Sequence, residues 1–173
     1  MEKYKTYKFY SLEMDWFEYL PGLFKQHSSA LRLKAGYIDR PVDDFYYFFG
    51  GGLEGLKGYS FYSLQGRKLL QFDAAYRFPI STHLNTRLWF LHLHKLYLSV
   101  YAQAGNIWSK DFDFDHIKRD AGLQLRLQLF SFYNFPLCLT FDSVYGFDKY
   151  RLRGNSYGEE WRFYLGVLFD FLD

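Results

Sequence analysis

Residues 159–171 read Glu-Glu-Trp-Arg-Phe-Tyr-Leu-Gly-Val-Leu-Phe-Asp-Phe. No other stretch limits the fold so tightly. Side chains alternate across a strand, so Trp161, Phe163, Leu165, Val167, Phe169 and Phe171 share one face, while Arg162, Tyr164, Gly166, Leu168 and Asp170 share the other. One face is a continuous wall of large apolar groups. At a chain end, where soluble proteins tend to fray, such a wall needs something that removes it from water, and lipid is the first candidate.

Six more runs carry the same alternation. In residues 7–19, Tyr10, Leu12, Met14 and Trp16 oppose Ser11, Glu13 and Asp15; in 29–38, Leu31, Leu33, Ala35 and Tyr37 oppose Ala30, Arg32, Lys34 and Gly36. In 68–78, Leu70, Phe72, Ala74 and Tyr76 oppose Gln71, Asp73, Ala75 and Arg77; in 95–107, Leu96, Leu98, Val100 and Ala102 oppose Tyr97, Ser99, Tyr101 and Gln103. The fifth run sets Ala121, Leu123, Leu125, Leu127 and Leu129 against Asp120, Gly122, Gln124, Arg126 and Gln128, and the sixth, 137–147, sets Leu139, Phe141 and Tyr145 against Thr140, Asp142 and Gly146. Strands of about ten residues suit a transmembrane β-barrel. The links alternate too: short at 20–27 and 131–134, intermediate at 80–94, long at 39–66, 109–117 and 149–158. Short turns on one rim and long loops on the other is the outer-membrane pattern.

Composition narrows the alternatives. Aromatics make up 24% of the 173 residues, with Phe 20, Tyr 17 and Trp 4, yet mean hydropathy is -0.27, which fits strands wet on one side. A soluble barrel or sandwich also alternates, but its small interior would have to hold all these aromatic faces. The net charge of +2 comes from interspersed cations and acids, which argues against nucleic acid. A single Cys138 excludes an internal disulfide framework, and Met-Glu-Lys-Tyr-Lys-Thr-Tyr-Lys at the start has no apolar signal region.

Enzyme motifs do not assemble. Between Gly50 and Lys57, Leu56 stands where a phosphate loop requires Lys and Gly58 stands where it requires Ser or Thr. Asp111, Asp113, Asp115 and His116 lack the Gly and distal Glu of a calcium loop. His92 and His94 lack a third ligand, and Cys138 has no base near it in sequence. We expect no enzyme, cofactor or metal.

The order of motifs resembles the bacterial surface antigen superfamily, which includes BamA-like assembly factors and two-partner secretion transporters. It is carried by Phe49-Gly50-Gly51-Gly52, Leu56-Lys57-Gly58-Tyr59, Ala75-Tyr76-Arg77-Phe78-Pro79-Ile80, Ala102-Gln103-Ala104-Gly105-Asn106-Ile107-Trp108, and residues 141–149. The resemblance implies that residues 1–173 are the C-terminal seven strands of a sixteen-stranded outer-membrane barrel, with even strand number as in bacterial barrels generally. Splitting off 84–93 as an eighth strand would instead close a small barrel. The family also implies that the long loop at about 39–66 folds into the lumen, where its motif, usually Val-Arg-Gly-Phe or Tyr, meets acids on the next strands.

In this chain Lys57 replaces the Arg, Asp73 takes the first acidic position and Gln103 the second. A Lys is a point charge that one carboxylate can satisfy, so Lys57 is expected to pair with Asp73 beside a neutral Gln103. Tyr164, Gly166, Phe169 and Phe171 match the C-terminal signal for barrel insertion, although Leu172 and Asp173 follow it. The implied role is assembly, insertion or translocation of proteins at the outer membrane. Its partners would be outer-membrane lipid, client outer-membrane or secreted proteins, and barrel-assembly lipoproteins. The competing role is a barrel that only anchors an attached periplasmic or surface domain.

Overall fold

A computed structural model describes residues 8–53, 55–132, 135–152 and 155–169. The chain is all-β, with two single-turn 3-10 segments at Asp44–Tyr46 and Phe114–His116. Six of the long runs become strands β1 (Ser11–Pro21), β2 (Ser28–Ile38), β5 (Lys68–Ser81), β7 (Leu91–Trp108), β8 (Lys118–Ser131) and β9 (Phe135–Gly146). The last becomes β12 (Trp161–Phe169). Three short hairpin pieces lie in the loops: β3 (Phe48–Gly50) pairs with β4 (Leu64–Gly66), β10 (Tyr150–Leu152) pairs with β11 (Asn155–Tyr157), and β6 (Thr86–Leu88) pairs with the start of β7.

The long strands form one antiparallel sheet in the order β1-β2-β5-β7-β8-β9-β12, in which every neighbour is also the next long strand in sequence. Among the described residues no ladder joins the edge strands β1 and β12. The proposed split at 84–93 does not yield an eighth spanning strand. Thr86–Leu88 folds back on Leu91–Leu93 through a tight turn at Trp89-Phe90, with Trp89 at φ 55, so the segment is a short hairpin at one end of β7.

β7 begins four residues earlier than alternation suggests because the register shifts between Leu93 and Lys95. A bulge adds one unpaired residue, so Leu91 and Leu93 share a face with Leu96 and Leu98 despite the change of parity. Read as strict alternation, the pattern stops there; read through the bulge, it continues.

Register carries the two faces across the sheet. One cross-strand row runs Leu33, Phe72, Ala104, and another runs Val100, Leu123, Ser143, Phe163. This apolar face is open: Trp161 is 61% exposed, Phe163 63% and Leu165 79%. The opposite, polar face is covered, with Gln71, Ser99, Asp120, Thr140 and Asp142 all buried. Two small apolar clusters form where loops pack on this covered side and its rim: Ile38, Val42, Phe48, Leu69 and Ile107, and separately Leu56, Tyr59 and Tyr150. At the free edge, Arg32 on β2 grips Asp15 on β1 with two hydrogen bonds of 2.9 and 2.6 Å.

Close approach on the polar face demands glycine at position 122. Tyr101 on β7 lies over Gly122, its direct partner on β8, and a Cβ at 122 would stand 2.6 Å from the Ser143 carbonyl oxygen and 2.7 Å from the Tyr101 hydroxyl. Gly122→Ala is therefore expected to lower stability by about 2 kcal/mol through overpacking. The measurement is the denaturant midpoint of the chain folded in detergent.

Candidate functional site

The link between β2 and β5 folds over the polar face and plants one tight turn on it. The β3–β4 ladder holds the two arms of this link together, and the Gly52 N–H donates to the Tyr59 carbonyl at 2.9 Å. A further bond, from the Tyr59 N–H to the Leu56 carbonyl at 3.1 Å, closes the turn Leu56-Lys57-Gly58-Tyr59. Leu56 and Tyr59 are among the most buried residues of the chain, at 2% and 0% exposure. A turn with two polar neighbours and this degree of burial has to satisfy its backbone groups against the sheet.

It does so residue by residue. The Lys57 N–H donates to Gln103 Oε1 at 3.0 Å, and Gln103 passes the contact on, its Nε2 donating to Asp73 Oδ1 at 2.9 Å. Gly58 N–H donates to Asp120 Oδ2 at 2.8 Å. From β12, the Tyr164 hydroxyl donates to the Lys57 carbonyl at 2.7 Å and Arg162 Nε to the Gly58 carbonyl at 3.2 Å. Strands β5, β7, β8 and β12 thus each reach the turn, directly or through one amide.

The Lys57 ammonium does not pair with Asp73. It crosses the sheet to Asp142 on β9, with Nζ 2.6 Å from Oδ1, and lies 4.6 Å from the centre of the Tyr101 ring. Two facts account for the departure from expectation. Asp73 is already held by the amides of Gln71 at 2.8 Å and Gln103 at 2.9 Å. The anchored Lys57 N–H also sends the side chain the other way, toward a carboxylate that Gln124 orients at 3.0 Å. Gln103 is a neutral neighbour of the motif, as expected; Asp73 is its second partner only through that amide.

Glycine decides how close the turn comes. A Cβ at Gly58 would meet Asp120 Cβ at 2.6 Å and Gly146 Cα at 2.8 Å, and one at Gly146 would meet the Gly58 carbonyl oxygen at 2.6 Å. Loop backbone lies directly on sheet backbone here. The neighbouring Tyr59 phenol donates to the Arg119 carbonyl at 2.8 Å and accepts from the N–H groups of Arg119 and Asp148 at 3.1 and 3.2 Å. Burial, with the nearby carboxylates of Asp148 and Asp120, pushes that phenol well above its usual range, so it remains a donor. Asp148, in the link after β9, is partly desolvated, but hydrogen bonds from the Arg119 guanidinium and N–H outweigh this and hold its carboxyl below the usual range.

The remaining sequence candidates scatter. Gly166 faces Thr140, Phe169 is exposed on the apolar face edge-on to Phe135 at 6.2 Å, and Phe171 lies outside the described residues, as do Leu172 and Asp173. Among the described residues no group of three His, Cys, Asp or Glu is placed to hold a metal. Alternation put Tyr101, Asp120, Asp142, Gly146 and Arg162 on the polar face without naming them as partners of the motif. Their signal was present, since a carboxylate in the middle of a half-apolar strand is costly unless it has a partner.

Most donors and acceptors of the cluster meet around this one turn, while Tyr101 Oη and Asp120 Oδ1 are buried without a hydrogen-bond partner. Lys57 and Asp142 side chains are only 17% and 4% exposed. Removing one partner of such a pair strands the other charge, so Lys57→Met is expected to cost about 3 kcal/mol and to expose the 39–66 link to protease. A double-mutant cycle should give strong coupling between Lys57 and Asp142 and little between Lys57 and Asp73. Gly58→Ala should undock the turn to a similar degree, read by the same proteolysis.

No protein-family model, no curated protein and no solved structure matches the chain.

Proposed function

We propose that the chain forms part of the wall of a bacterial outer-membrane β-barrel whose lumen is obstructed by the docked turn Leu56-Lys57-Gly58-Tyr59, and that the barrel acts in inserting or translocating proteins. The single observation that carries the membrane part is the reversal of the usual burial. Large apolar residues on all seven long strands share the open face, while the covered face withdraws Asp, Gln, Ser, Thr and Gly from water alongside Leu69, Tyr101, Ile107 and Val144. Each such side chain left in water forfeits about 2 kcal/mol, a cost that hydrocarbon removes. Water or polar chain on the other face is what Asp142, Asp120 and Lys57 require.

The open edges support a larger barrel. In hydrocarbon an unpaired strand edge costs several kcal/mol per group, so β1 and β12 need further strands or each other. The link lengths fit as well: the longest connections, which carry the β3–β4 and β10–β11 hairpins, leave one end of the sheet, and the shorter ones leave the other.

The insertion or translocation role rests on the family resemblance, and the docked turn is consistent with it as a gate. The anchoring role is favoured by one feature, the near-complete satisfaction of the turn's polar groups, which suits a fixed plug. Depletion of the protein in its own cell distinguishes them: several unrelated outer-membrane proteins fall together if it assembles or translocates, and only an attached domain is lost if it anchors.

For the membrane reading, the chain diluted from denaturant into detergent micelles should give a β-type circular dichroism spectrum, and in plain buffer it should aggregate. A monodisperse folded monomer in buffer would sink the reading.

A further inference from the structure

The three long links enclose a cavity of about 1090 Å³ at their end of the sheet. Its walls come from β3–β4, from the ends of β7 and β8, and from β10–β11 with the residues just before it. Lys118, Lys149 and His116 line it; among the described residues no carboxylate does so directly, although Asp113 lies against His116, Oδ2 to Nδ1 at 2.9 Å. Lys118 Nζ donates one hydrogen bond, to the Lys149 carbonyl at 2.6 Å, and meets the charge of Asp148 only through space, which leaves it other protons to give. Lys149 meets Glu159 at 3.1 Å, but both side chains are half exposed or more, so the pair is weak and exchangeable.

Aromatic faces complete the lining. Phe49 and Tyr62 stand edge to face with ring centres 6.0 Å apart, and Tyr62 is 71% exposed. Gln65 and Ser156, both exposed, add an amide and a hydroxyl. Flat aromatic surface, neutral hydrogen-bonding groups and two lysines in one concavity are the combination that takes a sugar ring bearing an anionic group. A peptide strand is a poorer fit, since the bordering ladders are only three residues long.

We propose that this cavity binds an acidic saccharide, with Lys118 and Lys149 taking its anionic groups and Phe49 and Tyr62 its ring faces. The site goes beyond the membrane reading and is independent of it, because binding is a property of the folded chain wherever it resides. Its floor includes Leu64 and Tyr150, which pack with Leu56 and Tyr59, so an occupant would lie directly above the docked turn.

The test is calorimetric titration of the full chain, folded in detergent, with oligogalacturonate and with a neutral glucose oligomer of equal length. Saturable binding of the acidic sugar alone is expected, about tenfold weaker in Lys118→Gln and suppressed at about 1 M salt. Tyr62→Asn provides a second variant outside the sheet: Tyr62 sits at φ 56, a conformation Asn tolerates, so the fold should persist while affinity falls. Circular dichroism of both variants confirms folding. No saturable heat, equal affinity for the neutral sugar, or equal affinity for an oligoglutamate peptide would overturn the proposal.

Discussion

Backbone alternation gives every long strand two unlike faces, and a single sheet can cover only one of them with its own chain. Here the covered face is the polar one. The link after β2 folds onto it, and the groups withdrawn from water include Gln71, Ser99, Asp120, Thr140 and Asp142, while Trp161, Phe163 and Leu165 stay open. Everything else follows from that choice. The covered side is a hydrogen-bonded network and the apolar side is an open wall, so stability inside the sheet is carried largely by its hydrogen-bonded ladders.

The docked turn is where that network concentrates. Its backbone N–H groups go to Gln103 and Asp120, its carbonyls receive Tyr164 and Arg162, and its one cation meets Asp142. A buried ion pair adds little net stability but makes the arrangement specific, because any shift in register strands a charge. The glycines at 58 and 146 allow loop and sheet backbones to touch, and Tyr59 fills the space beside them with all three of its hydrogen bonds made. The cavity above shares Tyr150 and Leu64 with this packing, which places any ligand there next to the docked turn.

Much of the sheet was legible because alternation is a local property. Six of the seven long strands lie within a few residues of where the pattern put them, and the deviation at β7 has a definite cause, a bulge that shifts parity between Leu93 and Lys95. The docking motif was legible in part. Leu56, Lys57, Gly58 and Tyr59 form one unit, and Gln103 is the neighbour it appeared to be. The partner of Lys57 was not legible, since Asp73, Asp120 and Asp142 all face the same side, and which one receives the ammonium depends on where Gln71, Gln103 and Gln124 spend their amides. Tyr164 illustrates the same point: it was legible as a terminal-strand residue, and only packing turned its hydroxyl toward Lys57.

The amino-acid sequence by itself determined the strand order, the two faces and the uneven links, because these depend on residues two apart and on turn chemistry between neighbours. Tertiary structure alone decided that Lys57 belongs to Asp142, that Gly58 rests on Gly146, and that Lys118 at the start of β8, Lys149 after β9 and two rings of the link after β2 share one cavity. Those choices join residues up to about a hundred positions apart. They are settled by which side chain can reach which carboxylate once the loops are packed on the sheet.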